Sequence, residues 1–287
     1  PINEQNRALI AALRNALDHA GIDLPIFFGN RNWHPMLGDA AAQMLDAGHR
    51  RAFGIVTSAF GSYSGCRQYR EDIAAATDGT ELTIDKAPQY WRHPGFLDPM
   101  AERVRDALST LGDAAGRARL VFTAHSIPTS WTPTMPYVPQ LEAAAGHISS
   151  AVFPDDPARA AAWDLVYQSR SGPPQVPWLE PDINDHLRDL HGQGVDTVVV
   201  VPVGFVSDHM EVMFDLDTQA RETADELGMT MVRAGTVGTH PDFVAALVNL
   251  VEEATLGAEP LRVVAEPAHT PCSPGCCDRP VSRRPST

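Results

Sequence analysis

The sequence lacks the features that place a protein in a membrane or on a nucleic acid. No apolar run reaches the ~20 residues that a membrane helix needs, and no charged and then apolar leader is present. Positive charge is scarce, since 22 Lys and Arg stand against 36 Asp and Glu and leave a formal net charge of −14. This balance disfavours duplex nucleic acid or an anionic membrane as the main partner. We therefore predict a cytoplasmic protein with no transmembrane segment and no nucleic-acid partner. The oligomeric state is left open, with a monomer as the default expectation.

Nucleotide-binding motifs are absent as well. Neither a G-x-G-x-x-G nor a Walker pattern occurs in the chain, so a nucleotide cofactor is not indicated. Gly29 and Gly172, which follow two of the predicted strands, are expected to serve turns rather than phosphate binding.

Cysteine is scarce and unevenly placed. Cys272, Cys276 and Cys277 lie together in the tail, and Cys66 lies far upstream. So few cysteines argue against a secreted disulfide scaffold, and adjacent cysteines bridge each other only with strain. Four thiolates can instead hold zinc or a [2Fe-2S] cluster, and the irregular spacing with one remote residue favours the cluster. Incidental thiols in a terminal tail are the remaining alternative.

Short apolar runs alternate with longer amphipathic stretches along the chain. The run 197–203 is apolar on both faces, which is typical of a parallel strand covered by helices on each side. The alternation predicts an α/β chain. The expected strands are 24–28, 52–57, 120–124, 165–168, 197–203 and 229–232. The expected helices are 4–19, 38–47, 99–111, 183–191, 218–227 and 241–254.

The length of 287 residues suits two domains at ~150 residues each. A Gly/Ala-rich stretch at 112–118 precedes a new strand and marks the expected boundary. We therefore predict an N-terminal domain over 1–115, a C-terminal domain over 116–256 and a tail over 257–287, where Pro, Ser and Arg increase and periodicity ends.

Ligands of open parallel sheets bind beyond the carboxyl ends of the strands, so the residues that follow each strand are candidates for chemistry. His125 directly follows the strand 120–124. An imidazole at the mouth of a cleft suits a general base or a metal ligand. The alternative is a histidine that only caps the following turn.

The junction after 197–203 is the richest in ionisable groups. Asp208, His209 and Glu211 are followed by Asp215 and Asp217. If this stretch is helical, Asp208, Glu211 and Asp215 share one face. Carboxylates beside an imidazole suit Fe²⁺ or a neighbouring first-row metal, so the row is predicted to hand a divalent ion inward. The alternative is an acidic first turn favoured by the helix dipole.

Two arginines at these junctions are the candidate cationic contacts of an otherwise acidic protein. Arg31 follows the strand 24–28 and Arg170 follows the strand 165–168. The alternative for each of them is a surface ion pair.

Taken together, three of these junctions resemble signatures of the ferrochelatase family, which inserts Fe²⁺ into a porphyrin. Residues 121–128 read Val-Phe-Thr-Ala-His-Ser-Ile-Pro and resemble the histidine signature. Residues 168–174 read Gln-Ser-Arg-Ser-Gly-Pro-Pro, are followed by Pro-Trp-Leu at 177–179, and resemble the second signature. Residues 202–212 read Pro-Val-Gly-Phe-Val-Ser-Asp-His-Met-Glu-Val and resemble the third. The similarity runs in the expected order from Pro1 to about Ala254.

The resemblance implies a lyase of heme biosynthesis with a porphyrin and ferrous iron as substrates. It also implies a chelatase fold, in which two similar Rossmann-like domains with helix-flanked parallel sheets enclose a porphyrin cleft. His125 matches the pyrrole-proton acceptor or metal-binding histidine, and Glu211 matches the catalytic glutamate opposite it. Gln219 stands where many members have another acid. The residues expected to contact the substrate iron are His125, Asp208, His209, Glu211 and Asp215, and those expected to contact the porphyrin are Arg31, Ser126, Arg170 and Trp178.

The tail adds to the resemblance. Its Cys-x3-Cys-Cys pattern is similar to that of actinobacterial family members, which metallate coproporphyrin III. This implies a [2Fe-2S] cluster held by Cys66, Cys272, Cys276 and Cys277, and it implies coproporphyrin III rather than protoporphyrin as the substrate.

The front end departs from the family pattern. Members begin with a strand, a lip helix and a loop that ends in Ser-Pro, and this chain begins at what resembles that Pro. The resemblance therefore implies that the first strand and the lip of the first domain are missing from this sequence. Because this part of the porphyrin cleft would be missing, the alternative interpretation is a noncatalytic protein that binds porphyrin or responds through an Fe–S cluster. A cobalt chelatase of the same fold is disfavoured by the second signature and the four cysteines.

Overall fold

Parallel strands alternate with helices in the computed structural model, which describes residues 2–265 and 275–278. The helices are α1 Ile2–His19, α2 Leu37–Asp46, α3 Gln68–Thr77, α4 Pro94–Ser109, α5 Tyr137–Val152, α6 Pro157–Ala160, α7 Ile183–Gly192, α8 Met210–Phe214, α9 Arg221–Glu226 and α10 Pro241–Thr255. The strands are β1 Arg51–Gly54, β2 Thr83–Lys86, β3 Arg119–His125, β4 Trp163–Gln168, β5 Thr197–Val201 and β6 Thr230–Arg233. The predicted α/β class is confirmed.

Four strands form the larger sheet in the order β4-β3-β5-β6, and every neighbouring pair is parallel. Because side chains alternate along a strand, the sheet supplies two cores. Leu120 and Phe122 of β3 pack toward the core that holds α1, α4, α5 and α10. Val121 packs toward the core that holds α7 and the α8–α9 segment. All five residues of β5 are buried, as expected for a strand covered on both faces.

The smaller sheet consists of β1 and β2, which are also parallel. A separate cluster of Ala40, Ala41, Met44 and Leu82 packs this sheet against α2. The prediction of a strand over 24–28 is wrong, because this stretch joins neither sheet in the described part of the chain. An apolar, β-branched run becomes a strand only where a neighbouring backbone completes its hydrogen bonds. Strand β2 was not predicted, since Thr-Ile-Asp-Lys is short and largely polar.

Helix α1 packs against α10 and shares the core of the larger sheet. The smaller sheet precedes residue 115 and the larger sheet follows it, while the domain division at 115–116 stays a prediction. Among the described helices, none combines the length and the apolar character that crossing a membrane requires.

Candidate active site

The carboxyl ends of β3, β4 and β5 lie along one edge of the larger sheet, because the strands are parallel neighbours. Strand β3 ends at His125, which is in register with Gln168 at the end of β4. The next residue, Ser126, donates its N–H to the Gln168 carbonyl at 2.8 Å. After β5, residues 202–209 lead directly into α8. The edge thus brings together the segments 121–128, 168–174 and 202–212.

His125 and Glu211 face each other across this edge. His125 Nε2 lies 3.9 Å from Glu211 Oε1, and the two side chains are 31% and 51% exposed. His125 Nδ1 lies 2.5 Å from the Ser126 carbonyl oxygen. A carbonyl only accepts hydrogen bonds, so Nδ1 carries a proton. The Nε2 lone pair of neutral His125 is therefore directed toward Glu211 and open to a proton or a metal ion.

A hydrogen bond from Tyr137 holds the backbone of His125. The buried Tyr137 hydroxyl donates to the His125 carbonyl at 3.0 Å. Burial raises the pKa of Tyr137 well above its usual range, and the nearby Tyr167 and Glu211 add to this effect. The phenol therefore stays protonated and remains a donor across the physiological pH range.

Helix α8 sets the direction of the acidic row. The ring of His209 caps the helix by accepting the N–H of Glu211 at Nδ1, at 3.2 Å. Burial lowers the pKa of His209 despite the opposing carboxylate of Glu211, so this ring is held neutral at physiological pH. Asp215 follows one turn after Glu211 at the start of a π-helical segment, Asp215–Ala220. The Asp215 carboxylate accepts a hydrogen bond from the Ser169 hydroxyl. The backbone of Ser169 has a φ of 60°, which lies in the left-handed region.

Asp208 stands apart from this row. It precedes α8, and its carboxylate pairs with Arg233 at 2.9 Å. Arg233 also binds Asp217 at 2.5 Å, and Gln5 of α1 donates to the Asp208 carbonyl at 2.8 Å. Asp208 and Asp217 therefore neutralise Arg233, and the Asp208 backbone attaches the loop to α1. Glu211 and Asp215 are free of arginine contacts in the described residues.

The two candidate arginines make internal contacts. Arg31 pairs with Asp72 at 2.7 Å, stacks on Tyr69 at 4.6 Å and donates to the Ser64 carbonyl at 3.1 Å. It thus attaches its loop to the segment that carries Cys66. Arg170 is exposed and donates to the carbonyls of Pro174 and Val176, at 3.1 Å each, so it shapes the loop that follows β4.

Trp178 and Ser126 lie beside His125. The centroid of the Trp178 ring is 6.5 Å from that of the His125 ring. A Cβ atom at Gly172 would come within 2.2 Å of the Trp178 indole nitrogen, so only glycine leaves room for the tryptophan. The Ser126 hydroxyl donates to the Leu179 carbonyl at 2.8 Å. These contacts attach the loop after β4 to the histidine strand.

Gln168 is a site residue that the sequence reasoning missed. The residue is 1% exposed, and its Nε2 donates to the Glu211 carbonyl at 2.7 Å, while its Oε1 has no hydrogen-bond partner among the described residues. One buried amide thus joins the end of β4 to the first turn of α8. The sequence feature that could have identified Gln168 as a site residue is its position at the start of the second signature.

A second cluster forms around the cysteines. Cys66 lies in the π-helical segment Tyr63–Arg67 and is buried, as is Cys277. The thiols of Cys66 and Cys277 share a hydrogen bond, which lowers the pKa of Cys66 to about 6 against the opposing effect of burial. The sulfur atoms of Cys276 and Cys277 are 3.8 Å apart. Cys272 lies outside the described residues.

The tail residues 275–278 are attached to the body of the protein. Cys277 N–H donates to the Thr134 carbonyl at 3.3 Å, and Asp278 pairs with Arg67 at 2.8 Å. Cys66, Cys276 and Cys277 line one cavity, although no three metal-ligating side chains in the described ranges already form a metal-binding group.

Comparisons with known proteins agree with this arrangement. A family model described as Ferrochelatase matches residues 1–255. The coproporphyrin III ferrochelatase of Nocardia farcinica is 49% identical over 96% of this chain and 82% of its own length. The ferrochelatase of Rhodopirellula baltica is 45% identical over 96% of this chain and 79% of its own length.

A solved structure, SirB from Bacillus subtilis with Fe³⁺, is similar in fold. Its TM-score is 0.58 at 14% sequence identity, and the match covers 88% of this chain and 89% of SirB. At this identity the likeness concerns the fold alone.

Proposed function

The chain belongs to the ferrochelatase family, and we propose that it inserts Fe²⁺ into coproporphyrin III in heme biosynthesis. As a ferrochelatase it is an enzyme whose substrates are a porphyrin and ferrous iron. The choice of coproporphyrin III is supported by the name of the Nocardia farcinica relative and by the Cys-x3-Cys-Cys pattern of the tail. The cytoplasmic location is a proposal from composition and cysteine use.

The observation that carries the mechanism is the opposition of His125 Nε2 and Glu211 Oε1 at 3.9 Å. Insertion exchanges two pyrrole protons for one Fe²⁺ ion. A base must therefore take protons from the ring nitrogens while the metal ion approaches. His125 accepts one proton at Nε2, and the Glu211 carboxylate stabilises the imidazolium that forms. Release of this proton to solvent frees Nε2 to accept the second one.

The row Glu211–Asp215 supplies the metal side of the reaction. Carboxylate oxygens bind Fe²⁺ and replace water as the ion sheds its hydration shell. Neutral His209 adds no positive charge that would repel the ion. Because its Nδ1 accepts the N–H of Glu211, its Nε2 carries the proton, so His209 is proposed to support Glu211 rather than to bind the ion. Asp208 supports this region through Arg233 and contributes negative charge rather than a free ligand.

The groups beside His125 are proposed to receive the porphyrin. Trp178 and Ser126 lie next to His125, so a macrocycle over the imidazole would meet the indole. Arg170 is exposed and can reorient toward a porphyrin carboxylate at the cost of its carbonyl contacts. Arg31 acts by holding its loop against the Cys66 segment, and its proposed porphyrin contact competes with Asp72.

We propose that the cysteines hold a [2Fe-2S] cluster as a resident cofactor. Two thiolates on one tetrahedral metal with bonds of ~2.3 Å lie ~3.8 Å apart, which matches the Cys276–Cys277 sulfur separation of 3.8 Å. Cys66 and Cys277 are buried and Cys276 is partly buried, and Cys272 is proposed as the fourth thiolate. Such a cluster would supply electron-transfer capacity and bind the tail to the body.

The proposal is tested by adding Fe²⁺ anaerobically to the protein with coproporphyrin III and, separately, with protoporphyrin IX. We expect the spectrum of the metallated product with coproporphyrin III at a higher kcat/KM than with protoporphyrin IX. The reverse preference would overturn the substrate choice. A porphyrin shift on binding without a metallated product would favour the alternative, a noncatalytic porphyrin-binding or Fe–S-responsive protein.

A further inference from the structure

Arg233, at the carboxyl end of β6, binds two aspartates that lie on either side of α8. Its Nη1 donates to Asp208 Oδ1 at 2.9 Å. Its Nε and Nη2 donate to the two carboxylate oxygens of Asp217, at 2.5 Å and 2.8 Å. Asp208 precedes α8 and Asp217 follows it. One guanidinium therefore joins the two ends of the segment 208–217, and we call Arg233 with these two aspartates the Arg233 clamp.

The acidic row lies within this segment. Glu211 belongs to the first turn of α8, and Asp215 directly follows the helix. The contact with Asp217 is bidentate, so it fixes the orientation of that carboxylate as well as its distance. Arg233 is 15% exposed and belongs to a strand of the larger sheet, in register with β5. The Arg233 clamp therefore limits how far Glu211 and Asp215 can move relative to the sheet that carries His125.

The loop before α8 is held by polar contacts. Gln5 of α1 donates to the Asp208 carbonyl at 2.8 Å and accepts the Asp208 N–H at 3.1 Å. Beside these contacts lies a cavity of about 610 Å³, and Gln5, Asp208 and Arg233 are among its lining residues. Because side chains do not fill this space, hydrogen bonds and ion pairs rather than packing hold the loop on this side. Loss of the guanidinium would remove the ion pairs of both aspartates.

We infer that Arg233 is a positioning residue for metal uptake, which holds Glu211 and Asp215 in the geometry that binds Fe²⁺. The inference rests on the role proposed above for this acidic row. The charge of Arg233 by itself would oppose this role, because a cation near the row repels an arriving metal ion. Arg233 acts instead through the fixed geometry of its ion pairs. Supporting contacts of this kind change metal affinity by about 10- to 100-fold.

The test measures Co²⁺ binding to the full chain without porphyrin, through the visible absorption bands of the bound ion. We expect Arg233→Gln to raise the Kd for Co²⁺ about tenfold. A purely electrostatic role predicts the opposite sign, because two carboxylates without their cation attract the metal ion more strongly. An unchanged or lower Kd in Arg233→Gln would therefore overturn the inference.

Arg233→Lys separates geometry from charge in a second variant. Lysine keeps the positive charge but lacks the planar fork that binds both aspartates. We expect Arg233→Lys to recover only part of the affinity for Co²⁺. A Kd as high as that of Arg233→Gln would also agree with a role of the fork, whereas full recovery would show that the charge alone is sufficient and would overturn the inference.

Two further variants control the measurement. Asp215→Asn assigns the Co²⁺ bands to the acidic row, since only bands that this variant loses are counted. If no band depends on Asp215, the row binds no metal ion and the inference is overturned. Arg119→Gln removes another partly buried arginine with a bidentate aspartate contact, at the amino end of β3. It is expected to lower the melting temperature and leave the Kd unchanged. Equal rises of the Kd in Arg119→Gln and Arg233→Gln would assign the effect to lost stability and contradict a positioning role.

Iron insertion separates this inference from the proposed function. Arg233→Gln is expected to raise KM for Fe²⁺ about tenfold and to leave KM for the porphyrin unchanged. An unchanged KM for Fe²⁺ in this variant, with an active wild type, would overturn the inference alone. Wild-type protein that binds Co²⁺ but metallates no porphyrin would overturn the proposed function, while a raised Kd for Co²⁺ in Arg233→Gln would still support the positioning role.

Discussion

The two ends of the strand pair β3–β4 differ in how their ionisable side chains are paired. At the amino end, Arg119 of β3 binds Asp164 of β4 through two hydrogen bonds, at 2.7 Å and 3.0 Å. His186 of α7 adds a third contact to Asp164 at 3.3 Å. At the carboxyl end, His125 and Glu211 lie 3.9 Å apart, beyond hydrogen-bonding distance.

The pairing at each end affects the protonation of its ionisable side chains. Burial opposes ionisation of Asp164, but hydrogen bonds from His186 and Arg119 outweigh it and hold the pKa of this carboxyl far below its usual range. That carboxylate is therefore held ionised by its contacts with Arg119 and His186. His125 and Glu211 keep free acceptor atoms, which a proton or a metal ion can use. The same sheet thus stabilises the fold at one end and leaves reactive groups unpaired at the other.

The sharpest test of this comparison is His125→Ala. It removes the proposed proton acceptor, and we expect iron insertion to fall about a thousandfold while porphyrin binding and the melting temperature change little. Stopped-flow metallation and porphyrin titration measure the two effects separately. Near-normal turnover would remove His125 from the mechanism.

Glu211→Gln keeps the shape of the side chain and removes its charge. We expect about a hundredfold loss of kcat, because the imidazolium at His125 and the arriving Fe²⁺ both lose a stabilising carboxylate. The pH profile of kcat is the second measurement, and its acid limb is expected to move. A loss confined to KM for the porphyrin would contradict this role.

At the opposite end of the strand pair, Asp164→Asn is expected to affect stability and leave kcat unchanged. Arg119 then keeps a partly buried charge without its carboxylate, which costs about 2 kcal/mol of unfolding free energy. Urea denaturation followed by circular dichroism measures it. Arg117→Gln, which removes an exposed ion pair with Asp196, serves as the control and is expected to cost far less.

The same pair predicts a pH dependence. Because the pKa of Asp164 is depressed in the folded state, its stabilisation is fully present above the unfolded value of ~3.9 and is lost as the pH falls below it. The stability difference between wild type and Asp164→Asn is therefore expected to shrink below about pH 4. A difference that stays constant down to about pH 3 would show that the lost contact is not ionic.

The smallest effect is expected from Gln168→Leu, which removes the donor that holds the Glu211 carbonyl. One hydrogen bond of ~1 kcal/mol corresponds to roughly a five- to tenfold loss of kcat, with KM for the porphyrin unchanged. Ser149→Ala is a suitable control, since the buried Ser149 hydroxyl has no hydrogen-bond partner within the part of the chain that the structure describes. Equal losses of kcat in both variants would point to general destabilisation instead of positioning.

Much of this site could be predicted because its signals are local. His125, Glu211 and Asp215 lie in continuous polar segments directly after apolar strands, and the parallel register places those segments on one edge. Family membership follows from the same segments and is confirmed. Gln168 was missed because a glutamine beside a strand has no distinguishing pattern, and its role depends on a carbonyl in another segment.

By itself, the sequence determined the α/β class, the parallel sheet and the segments that carry the chemistry, since burial on both faces and polar strand ends are properties of neighbouring residues. Only the tertiary structure decided that 24–28 is no strand and that the Asp208 carboxylate pairs with Arg233. Each of these outcomes depends on a partner distant in the chain. Hydrogen bonds and ion pairs form only after the packed core has brought such partners together.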